Sequence, residues 1–206
     1  NWYTAAFHGL QSADIALANG AVLTAGRKNT PFANLHGAAG CHAGMAIVGV
    51  SWVASLDTSL SCTLLTGFPV EVTSISGDAA GNIFVSRTYS GPQIIGGDKV
   101  SAGGTDVFVA RLDASHNLLW VETFGGSGNE MLYSIEVAAS GNPVVFGRFN
   151  GTTNFGCGPI ASAGQNDLFL VELDSAGAPL SVRTFGGTGS QPNTTAPLPE
   201  GAVVFG

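Results

Sequence analysis

The side chains best suited to metal or cofactor chemistry lie in one segment near the start of the chain. His36, Cys41 and His42 fall within Arg27–Gly44, and imidazole and thiolate ligands suit zinc or copper. The run Ala38-Ala-Gly-Cys-His also has the shape of a haem-attachment sequence that keeps one of its two cysteines. A metal ion or haem at Cys41 and His42 is therefore one hypothesis. The same segment supplies the candidates for a binding loop: Arg27, Lys28 and His36.

A disulfide is the competing role for Cys41. Pairing with Cys62 would close a loop of about 20 residues, which contributes roughly 3 kcal/mol to stability, and it would require an oxidising compartment. The three cysteines show no CxxC pair or other zinc spacing. We therefore expect a Cys41–Cys62 bond and no bound cofactor, with Cys157 left as a free or intermolecular thiol.

Carboxylates are placed mainly at turns. Asp78, Asp113 and Asp174 each open a short turn with a single carboxylate, whereas a calcium loop presents several oxygen ligands. We predict that each aspartate bonds to its own backbone two residues on, as in a hairpin turn. Glu136 and Glu172 alternate with apolar strand residues and are predicted to face solvent or a sheet edge.

Catalytic patterns are absent from the sequence. It has no Gly-x-Ser-x-Gly elbow, and no paired carboxylates of the glycosidase kind are apparent among its acids. No base, nucleophile and orienting group can be assigned together. We expect a protein without enzyme activity, and a carbohydrate-active enzyme is the weaker alternative.

An internal repeat organises the chain. Trp120–Gly128 corresponds to Ser181–Gly189, and Asp106–Asp113 corresponds to Asp167–Asp174, each at the same step along the chain. A third segment begins at three evenly spaced glycines: Gly81, Gly141 and Gly201. The period of about 60 residues is slightly above the range in which repeats indicate propellers or solenoids.

Each period contains four short apolar runs bounded by Gly, Asn, Asp and Ser, which is a strand pattern. Their short connectors form two hairpins, and two hairpins make a four-stranded antiparallel blade. The predicted fold is an all-β β-propeller with about three and a half blades, either closed as four blades or part of a larger propeller. The predicted units are a diverged blade at 1–60 with the long loop 27–44, blades at 61–119 and 120–180, and a partial blade at 181–206.

Two further features of the sequence, the glycan acceptor pattern and the tryptophans, have ordinary explanations. Asn150-Gly-Thr and Asn193-Thr-Thr match the glycan acceptor pattern, and we interpret both as chance matches. Trp2, Trp52 and Trp120 recur at equivalent or near-equivalent positions, which favours packing between blades over a sugar-binding platform.

The repeat resembles the β-propeller repeat of bacterial secreted and surface lipoproteins. The resemblance is carried by residues 149–170, by Leu173-Asp-Ser-Ala-Gly and by Thr184-Phe-Gly-Gly-Thr-Gly. It covers nearly all of residues 70–206 and residues 1–69 only loosely. It implies a propeller on or outside a bacterial cell, and it supplies no shared catalytic residues.

Composition limits the partners. Only 10% of residues are charged, against roughly 25% in an ordinary domain, and the seven Lys and Arg residues form no basic stripe for nucleic acid. Met45–Leu56, the most apolar stretch, is far short of a membrane span. The start without Met and the end within an apolar run indicate a processed or truncated piece of a longer protein.

These observations predict an extracellular or cell-surface structural or interaction module. Its expected partners are other protein subunits, with glycans as a second class, and the high apolar content favours an oligomer or fibre. The alternative from another class is a metal- or haem-carrying protein that uses the 27–44 loop.

Overall fold

The described part of the chain folds as β-strands joined by turns and loops. The computed structural model describes residues 12–27, 51–59, 61–94, 98–100, 102–188, 195–197 and 203–205, and no helix occurs among them. The all-β prediction is therefore confirmed for this part of the chain. Its strands are β1 (Ser12–Ala18), β2 (Ala21–Arg27), β3 (Ser51–Leu56), β4 (Cys62–Phe68), β5 (Ser74–Gly77), β6 (Ile83–Tyr89), β7 (Pro92–Ile94), β8 (Asp98–Val100), β9 (Asp106–Leu112), β10 (Leu118–Gly126), β11 (Glu130–Val137), β12 (Pro143–Phe149), β13 (Thr152–Asn154), β14 (Pro159–Ala161), β15 (Asp167–Leu173), β16 (Pro179–Phe185), β17 (Thr195–Pro197) and β18 (Val203–Phe205).

Three four-stranded antiparallel meanders follow one another along the chain. The first sheet has the order β1-β2-β3-β4, the second contains β5-β6-β9-β10, and the third has the order β11-β12-β15-β16. In each sheet the register of the third and fourth strands shifts by one residue close to their hairpin. The predicted units do not coincide with the sheets. Each boundary between two predicted units falls near the fourth strand of a sheet, and not between two sheets.

Smaller hairpins interrupt the second and third sheets between their second and third strands. β7 pairs with β8, and β13 pairs with β14. The β13–β14 hairpin also joins the second sheet, since Gly125 and Gly126 of β10 pair with Asn154 and Thr153. β17 and β18 form a further two-stranded unit.

The hairpin turns follow the predicted aspartate chemistry. Asp78 Oδ1 accepts backbone hydrogen bonds from Ala80 at 2.9 Å and Asn82 at 2.8 Å. The carboxylates of Asp113 and Asp174 accept the same pair of bonds in their own turns. The prediction of hairpin turns is therefore confirmed at all three positions.

The second sheet is buried on both faces. Along β6, Ile83 and Val85 belong to a core shared with the first sheet, whereas Phe84 points into a core shared with the third. β9 alternates in the same way, with Phe108 in the first core and Val107 in the second. Because successive side chains of a strand point to opposite faces, one strand fills two cores, and this accounts for the low fraction of charged residues.

The first strands of the three sheets lie side by side, with β1 against β5 and β5 against β11. Asp14 Oδ2 accepts hydrogen bonds from Ser74 Oγ at 2.8 Å and from the Ile75 amide at 3.0 Å. Ser74 Oγ in turn accepts the Ile135 amide at 3.2 Å. One polar chain therefore connects the first strands of all three sheets.

Candidate functional site

The sheets have two different ends. One end carries the tight turns within hairpins, such as 78–82 and 113–117. The other end, here called the loop face, carries the links between sheets and the longer connections 69–73, 90–105, 127–129 and 150–166, because antiparallel strands alternate in direction. The link between β2 and β3 leaves from the same end and contains the 27–44 loop predicted from the sequence.

Most of the predicted site residues lie outside the described structure. Arg27 ends β2 and Cys62 begins β4, but their side chains are not among those described. The predictions of a disulfide, a metal or haem site, a binding loop and the second acceptor asparagine stay predictions. The residues entirely outside the described ranges are Lys28, His36, Cys41, His42 and Asn193.

Two predicted residues lie on the described part of the loop face. Cys157 is an exposed free thiol, as expected from the sequence. Asn150 follows β12, and its side-chain Oδ1 accepts the Asn129 amide at 2.9 Å. The Asn150 side chain therefore ties two loop-face segments together.

A pair of buried carboxyl groups lies beneath the loop face. Asp106 begins β9 and is 3% exposed, and Glu130 begins β11 and is 0% exposed. Asp106 is one of the neighbours that act on the carboxyl group of Glu130. This pair was not visible in the sequence, because the two residues belong to different sheets and become neighbours only when the second and third sheets pack.

Each carboxyl group has one bonded and one unpartnered oxygen. Asp106 Oδ2 accepts the Ala102 amide at 2.8 Å, and Glu130 Oε1 accepts the hydroxyl of Thr153 on β13 at 2.5 Å. Asp106 Oδ1 and Glu130 Oε2 are buried without a hydrogen-bond partner. Burial raises the pKa of Glu130 to about 7, the Thr153 hydrogen bond opposes this rise, and the neighbouring Asp106 adds to it.

Glycines make room for this arrangement. A Cβ on Gly125 would lie 2.2 Å from Asp106 Cγ, so the end of β10 can approach the carboxyl group only without a side chain. The same contact recurs one repeat later, where a Cβ on Gly186 would lie 2.0 Å from Asp167 Cγ. Asp167 Oδ2 also accepts an amide hydrogen bond, from Ala163 at 2.7 Å. In both copies of the repeat, the aspartate that begins the third strand therefore packs against the first glycine of the Gly-Gly motif.

The carboxyl pair has no access to a large substrate. Glycosidase carboxylates flank a sugar in an open cleft at separations of roughly 5 to 9.5 Å, whereas both of these groups are buried. Within the described ranges, no group of three or more His, Cys, Asp or Glu side chains could hold a metal ion. The chemistry available to the pair is the binding and release of a proton.

A buried histidine joins the first and second sheets at the opposite end. His116 is 5% exposed, its Nε2 lies 2.8 Å from Ser55 Oγ, and its Nδ1 lies 3.1 Å from Thr66 Oγ1. Burial lowers the pKa of His116 to about 4, against an opposing effect of Asp113. Because a hydroxyl group and not a carboxylate faces Nδ1, the contact lacks the orienting acid of a catalytic triad.

His116 also occupies an unusual backbone position. Its φ is 62°, and in two other turns the equivalent residue is a glycine, Gly81 at 86° and Gly177 at 91°. A positive φ is uncommon for a residue with a Cβ, and here the imidazole is held by its two hydroxyl contacts. His116 was not singled out from the sequence, although a histidine at a position that is glycine in two other copies was visible in the repeat.

Comparisons with known proteins identify no family. No family model matches the chain, and no curated protein matches it. Among solved structures, a protein of unknown function from Bacteroides caccae is similar with a TM-score of 0.42 and 12% identity, covering 95% of this chain and 70% of that one. A likeness of this size bears on neither the fold nor the function. No helix in the described residues is long and apolar enough to cross a membrane.

Proposed function

We propose that the three sheets are blades of a β-propeller and that the chain is a structural or interaction module outside the cytoplasm, with the loop face as its contact surface. The observation that carries the proposal is the side-by-side packing of β1, β5 and β11, which begin successive sheets. In a propeller the first strand of each blade lines the central axis.

The polar chain along these strands supports a rotational arrangement. Asp14, Ser74 and Ser134 occupy equivalent positions of the repeat, and Asp14 and Ser74 each accept an amide from the following sheet. A contact that repeats from one unit to the next can continue around an axis. The β17–β18 unit lies at the positions where the repeat places the first two strands of a fourth blade.

The unequal ends of the sheets support a role in binding. Propellers recognise partners through loops carried on a rigid scaffold. Here the side chains between the sheets are buried in the cores and cannot contact a partner, as the 0% exposure of Val85 and Val109 illustrates. The loop face has the longer connections and the exposed Cys157, and the opposite end has only tight turns. Protein subunits are the proposed partners, with glycans as a further class.

The proposed location is the surface or exterior of a bacterial cell. It rests on the resemblance of the repeat to secreted and surface lipoproteins and on the predicted Cys41–Cys62 disulfide.

A photo-crosslinker can test which end of the sheets contacts a partner. The crosslinker is attached to Cys157 on the loop face of the purified protein, and the labelled protein is incubated with the surface fraction of its source cells. The matched control is the double variant C157S/A139C, which moves the label to the exposed turn between β11 and β12 at the other end. The proposal expects a discrete crosslinked species from Cys157 that is missing from the control and is lost on competition with unlabelled protein. Equal labelling from both ends, or none from Cys157, would contradict it.

A further inference from the structure

The buried carboxyl pair lies where three parts of the chain meet. Asp106 belongs to the second sheet, Glu130 to the third, and Thr153 to the hairpin that crosses between them. The backbone is tied at the same place, because the Glu130 amide donates to Thr105 O at 2.7 Å and Thr105 Oγ1 donates to Glu130 O at 2.9 Å. A proton or cation bound by the two carboxyl groups would therefore affect how firmly the second and third sheets are held together.

Two neighbouring buried carboxylates repel each other unless a positive charge is shared between them. With both groups ionised, Asp106 Oδ1 and Glu130 Oε2 would be buried acceptors without a donor, and neighbouring like charges repel strongly in a dry environment. Either a proton or a metal cation can remove the repulsion.

The packing favours the proton. A calcium ion takes six to eight oxygen ligands, and the only groups of the pair left unpartnered are one oxygen on each side chain. The backbone of Gly125 already lies against the Asp106 carboxyl group, since even a methyl group there would reach 2.2 Å from it. A proton shared between Asp106 Oδ1 and Glu130 Oε2 needs no added volume and gives both oxygens a hydrogen-bond partner.

The repeat gives independent support. The repeat step that takes Asp106 to Asp167 takes Glu130 to Gln191. A glutamine amide donates a hydrogen bond to a carboxylate without a proton being bound, and a glutamic acid does the same only while it is protonated. In the sequence, the copy of the repeat that contains Asp167 therefore carries an amide where the copy that contains Asp106 carries a carboxyl group.

We propose that Asp106 and Glu130 share one proton, and that this proton locks the start of β11 to the start of β9, so that the second and third sheets loosen at the loop face when it is lost. The chain then carries a pH-sensitive joint in the copy of the repeat that contains Glu130.

The groups around Glu130 set the direction of the response. Asp106 on β9 opposes ionisation of Glu130, and it also raises the pKa of Tyr89 on β6. Thr153 on β13 and the Gly126 backbone on β10 favour the ionised form but carry no charge. Burial is the largest influence and raises the pKa of Glu130 to about 7, above its ordinary value of 4.5. The stabilisation is therefore complete below about 4.5 and is lost as the pH rises through about 7.

Hydrogen exchange of the purified protein, followed by mass spectrometry, tests this inference. Exchange of the segments 102–106, 127–132 and 150–155 is measured from about pH 5 to about pH 8 and corrected for the intrinsic rate of unprotected amides. In the native protein, the opening of these segments should increase about tenfold for each pH unit between roughly 5 and 7. In Glu130→Gln the dependence should vanish, with protection at about pH 8 at least as high as in the native protein.

Controls separate the shared proton from other causes. Asp106→Asn removes the charge that opposes ionisation of Glu130, so it should lower the pKa of Glu130 and shift the loss of protection to higher acidity, while the part of the rise that burial causes remains. This second variant keeps the test decisive if Glu130→Gln does not fold. The segment 163–169 around Asp167 should show no such dependence in any variant. The inference fails if exchange in the native protein is flat with pH, or if Glu130→Gln keeps the slope. It also fails if millimolar calcium restores protection at about pH 8 and EDTA removes it at about pH 6, because a cation would then be the link.

Discussion

Phe124 and Phe185 occupy the same position in two copies of the repeat but have different environments. Phe124 on β10 is 2% exposed, whereas Phe185 on β16 is 39% exposed. The difference arises from the β13–β14 hairpin, which pairs with β10 and carries Phe155 between its two strands. The ring centroid of Phe155 is 6.1 Å from that of Phe124. Replacing each phenylalanine by alanine should therefore have unequal effects on stability.

The expected difference follows from the buried area. A phenylalanine buries about 200 Å², so the additional third or more that Phe124 buries is about 75 Å² and corresponds to about 2 kcal/mol. Phe124→Ala also leaves an enclosed cavity, and fully buried Phe→Ala changes cost about 3 to 5 kcal/mol. We expect a loss of about 4 kcal/mol in the free energy of unfolding for Phe124→Ala and about 2 kcal/mol or less for Phe185→Ala.

Urea unfolding followed by tryptophan fluorescence measures both losses, provided that the slopes of the transitions stay equal. Phe124→Leu is the substitute if Phe124→Ala does not fold, and its loss should still exceed that of Phe185→Leu. Equal losses at the two positions would refute the reasoning, because they would mean that another segment or a second chain covers the end of β16.

Two other substitutions probe single contacts. Gly125→Ala should destabilise the protein by about 1 to 3 kcal/mol, because its Cβ would meet the Asp106 carboxyl group, whereas Gly187→Ala meets nothing within 4 Å and should change stability by less than about 0.5 kcal/mol; similar losses would contradict the contact. His116→Asn tests the buried imidazole. The pKa of His116 is lowered to about 4 from 6.5, so the native protein should lose stability as the pH falls from about 6.5 to 4, by up to about 3 kcal/mol, and the variant should lack that part of the acid dependence. Thermal unfolding of both proteins at a series of pH values measures this difference. An equal loss of stability at acid pH in the variant would contradict the role assigned to the buried imidazole.

Features that depend on neighbouring residues were predictable from the sequence. The hairpin turns at Asp78, Asp113 and Asp174 follow from a carboxylate that reaches its own backbone, which is a property of a few consecutive residues. The division into β-strands follows from short apolar runs between turn residues. Within each sheet, the pairing of the first strand with the second and of the third with the fourth follows because strands joined by short turns pair with each other. The second and third strands pair across a longer connection.

The contacts between sheets could not be read in the same way. Neither Asp106 nor Glu130 was singled out from the sequence, and the repeat step that leads from them to Asp167 and Gln191 does not show that they are neighbours. Their contact depends on the angle and distance at which two sheets pack, which no local pattern determines.

The sequence by itself determined the strands, their turns and the internal repeat, because these depend on side-chain alternation and on the backbone preferences of a few adjacent residues. Only the tertiary structure decided which copies of a repeated residue are buried, as Phe124 and Phe185 show, and which acids share a space, as Asp106 and Glu130 show. The physical reason is that burial and electrostatic coupling depend on what lies across an interface, and the residues across an interface are distant along the chain.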